Sequence, residues 1–511
     1  MKNILKISYA VMFAFVSISA LFISCNDDDD STEPNTVTDY KTPKYIFYFI
    51  GDGLGSPQIN VTEAALNDPN FKLSGTKSVG IGELNLRQLT VTGMQTTHAE
   101  DRYITGSAAS ATALATGYKT TIGTISMNGT ATSDLKTMAE MAKEKGMKVG
   151  IVSSVSIDHA TPACFYAHTD SRNNYYSIGQ DLVASGFDYF AGGGVRWNKY
   201  DGEGQAEDIT LFTDAATTAG YTYVNTKTAF DALTSESGKI IATLEKFYTN
   251  TDDGCALPYV MDLDAQTSEN DKITLSDFTE KGIELLDNDE GFFLMVEGGK
   301  IDWACHANDV VAAAHNTVEF DNALGLAIDF YNEHPDETII VLTGDHECGG
   351  LTLGYAGTGY ESAFEILRHQ TMSYVEFESI VDGWNTEIKT FEQALEDAED
   401  AFGLGDETLN SALALSDYEK GLLEDAFNRS MSGESTHEPE EISVIYGYYD
   451  PFTVTITHIL NNKAGIDWTS YSHTGVPVPV FALGQGMYEF NGYYDNTDIA
   501  NKIIKIAKLN E

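Results

Sequence analysis

YIFYFIG, residues 45–51, carries an unbroken row of apolar and aromatic side chains before its glycine, and Asp52 follows at once. A strand with one wet face alternates polar and apolar residues, so an unbroken run suits a strand covered on both faces, as in a parallel sheet. Five further runs have this character: KVGIVSS (148–154), FDYFAGG (187–193), FFLMVEG (292–298), TIIVLTG (338–344) and VPVFALG (478–484). Helical patterns lie between them, among them residues 134–146 and 308–333. This βαβ rhythm predicts an α/β fold: a three-layer sandwich with a mostly parallel central sheet and helices on both faces. From about residue 353 to 467 the rhythm breaks, and an acidic, helix-leaning stretch reads as an insertion or lid on the sheet.

The chain has 511 residues, 42% of them hydrophobic, enough for a large core. Against 30 Lys and Arg stand 77 Asp and Glu, a formal charge of −47. Over most of its surface such a protein repels nucleic-acid phosphates and anionic lipid, so no nucleic-acid partner is expected. Solubility, or a site rich in bound cations, fits the imbalance better.

MKNILK opens the chain with positive charge, Ile7 to Ile23 form an apolar run, and Ser24 precedes Cys25. The segment resembles a bacterial lipoprotein signal ending at a lipid-modified cysteine. A spanning anchor is the rival, but no positive stop-transfer flank follows; NDDDDSTEPN follows instead. The expected division is a signal peptide over 1–25 with lipidation at Cys25, an acidic polar tether over 26–43 and a catalytic domain over 44–511. The protein is thus expected to be exported and lipid-anchored in the outer membrane, periplasmic or surface-facing, touching the membrane only through that anchor. Cys164, Cys255, Cys305 and Cys348 remain. They could form two disulfides in any of three pairings, or stay as buried thiols.

In an open α/β sheet, ligands bind beyond the carboxyl ends of the strands. Asp52 follows the first run; Asp158, His159 and Thr161 follow the second; Glu297 closes FFLMVE, with Asp302 and His306 beyond; Asp345, His346 and Glu347 follow TIIVLTG; His473 precedes VPVFALG. Any one such carboxylate is usually a solvated turn residue or a helix cap. Clusters at five places along one chain are harder to explain that way. Asp302 and His306 lie four apart, Asp345 and His346 are adjacent, and each pair can offer an oxygen and a nitrogen to one ion. With His473 and Asp52 they supply ligands for two zinc ions. Glu297, Thr161 and a shared Asp52 form a harder, oxygen-only third site suited to magnesium. The metal site is therefore expected at the strand carboxyl ends.

Residues 103–117 read YITGSAASATALATG, crowding small side chains around Ser107, Ser110 and Thr112. Taken alone, this is a tightly packed buried helix beginning near Gly106. In company it resembles the alkaline phosphatase family, along with GDG (51–53), HATPA (159–163), AHTDSR (167–172), VEGGKID (296–302), TGDHE (343–347) and SHTG (472–475). The resemblance implies a metal-dependent phosphate monoester hydrolase that works through a phosphoserine intermediate, with a broad substrate range and an alkaline pH optimum. It implies Ser107 as nucleophile and Arg172 as phosphate clamp. It places Asp302, His306 and His473 on one zinc, Asp52, Asp345 and His346 on the other, and Asp52, Thr161 and Glu297 on magnesium. His159 and Trp303 would border the substrate. Family members are often dimers, and a homodimer is the implied assembly; phosphorylated small molecules are the implied partners.

Three departures stand out. Gly106 occupies a place where an aspartate often precedes the serine, so a looser Arg172 and weaker phosphate retention are expected. Trp303 stands where some members carry lysine or histidine, and His159 where some carry aspartate; a histidine there could favour zinc in the third site. Related diesterase or phosphonate-hydrolase chemistry is opposed by the complete HATPA and AHTDSR stretches. A surface lipoprotein that binds phosphorylated nutrients without turnover is opposed by the intact ligand set. His98, His168, His315, His334, His369, His437 and His458 match no motif position and read as surface or core histidines.

Overall fold

The computed structural model describes residues 40–68, 70, 83–196, 209–244, 255–265, 268–432 and 438–511. The expected signal peptide with Cys25, the tether as far as residue 39, and His437 lie outside the described residues. Among the described residues fourteen strands follow in chain order: β1 (Tyr45–Gly51), β2 (Val91–Thr96), β3 (Lys148–Ser153), β4 (Tyr189–Ala191), β5 (Tyr221–Val224), β6 (Lys239–Ala242), β7 (Phe292–Glu297), β8 (Thr338–Gly344), β9 (Glu347–Cys348), β10 (Thr352–Leu353), β11 (Ile466–Asp467), β12 (His473–Thr474), β13 (Val478–Gly484) and β14 (Gly492–Asp495). Ten of them form one sheet in the order β14-β2-β13-β8-β1-β7-β3-β4-β6-β5.

Every side chain of β1 is buried, as an unbroken apolar run requires. Tyr45, Phe47 and Phe49 enter one hydrophobic cluster, while Ile46, Tyr48 and Ile50 enter the other. Alternation along the strand thus sorts one run between two cores, with helices closing both faces, and the three-layer α/β sandwich is what the sequence led one to expect. β1 runs parallel to both β7 and β8. β13 instead runs antiparallel to its two neighbours, β8 and β2. Its apolar run marks burial, which is the same for either strand direction.

β2, β14, β5 and β6 were not read from the sequence. They occupy the two ends of the sheet, where strands are short or half exposed; β2 alternates buried with exposed or half-buried positions. The helix expected over 134–146 spans only Met138–Glu144, because Thr137 caps it in a box with Glu140. Similarly, Asp309 caps Val310–Glu333 by accepting from the Ala312 amide.

Between residues 353 and 467 the described residues are largely helical, including Tyr374–Glu387, Phe391–Phe402, Asp417–Ser432 and Pro451–Ala464. β10 and β11 pair antiparallel, bringing the two ends of this stretch together. Its helices carry their own buried aromatic centre, with Trp384 and Phe377 packed against Phe452. No helix among the described residues is long and apolar enough to cross a membrane.

Candidate active site

Register in the sheet puts the chemistry in one place. Glu297, the last residue of β7, lies level with Ile50 on β1 and Ser153 on β3, and Gly51 lies level with Gly344 on β8. Asp52 and Asp345 therefore leave adjacent strands side by side. The turn after β1 needs glycine: Gly53 has φ +71°, and a Cβ there would lie 2.9 Å from both the Cα and an Oδ of Asp302. Its amide donates to Asp345 Oδ1 at 3.1 Å, tying the two strand ends together.

Asp302 and His306 sit one turn apart on the helix Gly299–His306, with His306 Nε2 3.2 Å from Asp302 Oδ2. His473, on β12 opposite Cys348 of β9, brings its Nε2 to 3.1 Å from His306 Nε2 and 3.6 Å from Asp302 Oδ1. The two histidines are aimed through their other nitrogens: His306 Nδ1 meets the Tyr471 carbonyl at 2.6 Å and His473 Nδ1 the Thr105 carbonyl at 2.9 Å. Donation to a carbonyl fixes the proton on Nδ1 and leaves Nε2 with a lone pair for a cation. His346 Nε2 lies 3.2 Å from Asp345 Oδ2 and 3.4 Å from Asp52 Oδ1, its ring stacked on that of His473 at 3.5 Å.

Among the described residues three groups of atoms that could hold a cation result, each within 4.8 Å: Asp302, His306, Cys348 and His473; Asp52, Asp345 and His346; and Asp52, His159 and Glu297. Asp52 belongs to two. Thr161, wholly buried, faces Glu297 and helps hold its carboxyl down, as Ser153 does through a short hydrogen bond. His159 therefore stands among the third group's possible ligands as well as beside the substrate cleft, a double placement that the sequence reading raised only as a question of metal preference.

The electrostatics explain why cations belong here. Burial, then the neighbouring carboxylates, pushes Asp52 and Asp345 well above the usual carboxylate range, and Glu297 up to about 7. Both oxygens of Asp52, Glu297 Oε1 and Asp345 Oδ2 are buried without a hydrogen bond. Crowded buried carboxylates with orphaned oxygens are costly unless a positive charge sits between them, so this donor set fits divalent cations. Burial opposes the charges of Asp302 and His306, yet with no cation between them each holds the other charged, His306 being pushed up to about 9; a bound cation takes the place of the proton on His306 Nε2. His346 is held neutral, chiefly by burial.

Ser107, the expected nucleophile, is the first residue of the helix Ser107–Thr116, whose side chains are all buried. With Arg172, His159, Asp302, Trp303, His306 and His473 it lines a cleft of about 360 Å³. The answer to the small-residue puzzle is close packing, with one addition. Ser110, assigned only packing or capping from the sequence, donates to the carbonyl of the metal-group residue Asp345 at 2.7 Å. Arg172 Nη2 donates to His159 Nε2 at 2.8 Å, so an imidazole holds the guanidinium at one corner. The loop carrying Arg172 is pinned by His168, whose ring bridges the Ser126 carbonyl at 2.8 Å and Glu140 at 3.1 Å. His168 read as an ordinary histidine in the sequence, and only its position inside AHTDSR could have suggested this.

Other expected candidates stand aside. Asp158 accepts from the Arg196 amide at 2.7 Å, and Glu347 accepts from Gln58 at 2.8 Å and from Thr474; both act as struts beneath the ligands. Cys164, Cys255, Cys305 and Cys348 are buried thiols, with no disulfide among them. Two cleft residues come from the helical stretch, Tyr374 and Tyr449. No motif announced them.

A hydroxyl at a helix start and an arginine in one cleft, with three possible cation-binding groups at and beneath its floor, fit a metal-assisted hydrolase for anionic esters. The sequence profile of the alkaline phosphatase family matches residues 43–509, and the chain belongs to that family. It is 30% identical over 516 residues to alkaline phosphatase 3 of Bacillus subtilis (strain 168), covering 100% of this chain and 98% of that one. The crystal structure of a cold-active alkaline phosphatase from Shewanella sp. is similar with a TM-score of 0.70 at 29% identity, over 91% of this chain and 99% of that one. A histidine-to-aspartate variant of the TAB5 alkaline phosphatase, with magnesium bound in its M3 site, is similar with a TM-score of 0.60 at 25% identity, over 93% and 100% of the two chains. This chain is accordingly a metal-dependent phosphate monoester hydrolase.

Proposed function

We propose that Ser107 is the nucleophile of this phosphatase and passes through a phosphoserine intermediate. The observation that carries this reading is that Ser107 opens its helix in the same cleft as Arg172, Asp302, His306 and His473. Two zinc ions, held by Asp302, His306 and His473 and by Asp52, Asp345 and His346, with magnesium or a third zinc on Asp52, Thr161 and Glu297, would supply positive charge that favours the serine alkoxide and the departing oxygen. The Ser107 oxygen attacks phosphorus and the ester bond to the alcohol breaks; water then cleaves the Ser107–phosphate bond and frees inorganic phosphate. Arg172 holds two phosphoryl oxygens through its planar fork, and His159 and Trp303 border the bound ester. The first amides of the Ser107 helix add partial positive charge to the same place. Because recognition centres on the phosphoryl group, a broad range of phosphorylated small molecules and an alkaline optimum accompany the mechanism.

The same proposal places the enzyme outside the cytoplasm as a lipoprotein, acylated at Cys25 after removal of the signal peptide, tethered by the acidic 26–43 segment and anchored in the outer membrane. The catalytic domain over 44–511 would carry the acidic insertion at about 353–467 and act as a homodimer.

The test is hydrolysis of a chromogenic phosphate monoester across pH 7 to 11 by protein lacking residues 1–25, before and after chelation and after return of zinc and magnesium. Turnover is expected to vanish on chelation, return with the cations, and fall by roughly 10⁴-fold or more in Ser107→Ala. A Ser107→Ala protein that keeps its turnover overturns the assignment.

A further inference from the structure

The helical stretch puts two aromatic rings into a cleft whose other lining is almost wholly polar or charged, and these rings form a braced wall. Tyr374 is buried and opens the helix Tyr374–Glu387, its amide donating to the buried carboxylate of Asp309 at 3.0 Å. Its hydroxyl accepts from Tyr259 at 3.2 Å, and its ring meets the Tyr449 ring edge-on at 5.6 Å and 87°. Lys300, itself buried, places its ammonium 3.6 Å from the centre of the Tyr259 ring and 4.9 Å from that of Trp303. Trp303 in turn meets His159 edge-on at 5.8 Å. One lysine therefore braces Trp303 directly and, through Tyr259 and its hydrogen bond to Tyr374, the tyrosine pair on the helical side.

We propose that Tyr374 and Tyr449, with Trp303, form a subsite for the leaving group and favour phosphate monoesters whose alcohol carries a planar ring, as a nucleoside or an aryl alcohol does. The phosphoryl group belongs at the Ser107 end with the cation ligands and Arg172, so the remainder of the ester must occupy the rest of the cleft. Aromatic faces and edges attract another ring by its quadrupole as well as by burial. Because Tyr374 is already held by its amide and hydroxyl, little ordering remains to be done on binding, and more of that attraction appears as affinity. The inference rests on phosphoryl transfer at Ser107.

The experiment compares adenosine 5′-monophosphate with ribose 5-phosphate, esters of the same primary alcohol that differ by the base. In the wild-type enzyme, kcat/KM is expected to favour the nucleotide by roughly three- to tenfold. Tyr449→Leu and Tyr374→Leu are each expected to lower that ratio toward one. Benzyl phosphate against ethyl phosphate asks the same of a simple ring: a matching preference there identifies any planar ring as the ligand, and its absence narrows the subsite to nucleosides. A wild-type ratio near one, or a ratio that survives both substitutions, overturns the proposal. Should Tyr374→Leu fail to fold, the ratio in Tyr449→Leu and competitive inhibition of the wild type by adenosine decide it. If neither ester is hydrolysed with cations supplied, the catalytic assignment has failed and the subsite falls with it.

Discussion

The cleft has a floor and a wall made by different rules. The floor is the carboxyl edge of β1, β3, β7 and β8, where parallel register brings Asp52, Glu297 and Asp345 together. A side chain there cannot shift without disturbing several ladders, which suits groups that must hold cations in fixed geometry. The wall at Tyr374 and Tyr449 hangs on helices packed around Trp384 and Phe452, joined to the sheet through the β10–β11 ribbon. Its residues can change without altering the register of the floor. The contrast separates the reaction, which depends on backbone pairing, from the choice of alcohol, which depends on side chains.

The sharpest way to break this division is at Asp52, which belongs to two ligand groups. Asp52→Ala should lower kcat/KM by about 10³-fold or more and reduce the bound-metal content measured by atomic emission. Loss of rate with a full metal complement would mean that Asp52 does not hold the cations. No change in preference between ring-bearing and ring-free esters is expected in the residual activity.

A milder probe is Gly106→Asp. Gly106 has φ −115°, open to any residue, and a Cβ there would meet only Ile122 Cδ1 at 3.8 Å. The new carboxylate gives Arg172 a second holder and supplies the missing side-chain cap to the Ser107 helix. Inhibition by inorganic phosphate should tighten severalfold and thermal stability should rise by about 1 kcal/mol. Unchanged phosphate inhibition would show that His159 alone already fixes the arginine.

The smallest expected effect concerns the loop beneath Arg172. Burial works against the charge of His168, but Glu140 and the Ser126 carbonyl raise it to about 9. A histidine whose pKa is raised by folding stabilises fully below its ordinary value near 6.5, and that contribution fades as pH climbs through 9. His168→Asn should therefore lower the melting temperature by about 2 °C at pH 6, with the gap closing toward pH 10. A gap constant with pH would remove the ion pair from the account. Both this residue and Gly106 act on the floor, so neither should alter the preference for ring-bearing alcohols.

Much of the floor could be read along the chain. Unbroken apolar runs located β1, β3, β4, β7, β8 and β13, because complete burial leaves no room for polar alternation. The residues past those runs include most of the side chains that the structure gathers into three possible cation-binding groups; His159 and Cys348, which stand in two of them, were not read as ligands. The direction of β13 could not be read, since burial looks alike in either direction, and the end strands β2, β5, β6 and β14 lacked the pattern because they are short or partly wet. The clasp between Arg172 and His159, and the hydrogen bond from Ser110 to Asp345, join residues whose spacing in sequence carries no periodic signal.

What the sequence by itself determined is the layered α/β architecture and the inventory of chemistry at the strand ends, because hydrophobic burial and strand-end turns are local patterns. Only the tertiary structure decided that His159 joins Asp52 and Glu297 while holding Arg172, that the cysteines stay apart as thiols, and that Tyr374 and Tyr449 reach the cleft. Each depends on where distant segments meet, and that meeting is set by sheet register and by the packing of helices inserted more than a hundred residues after β3.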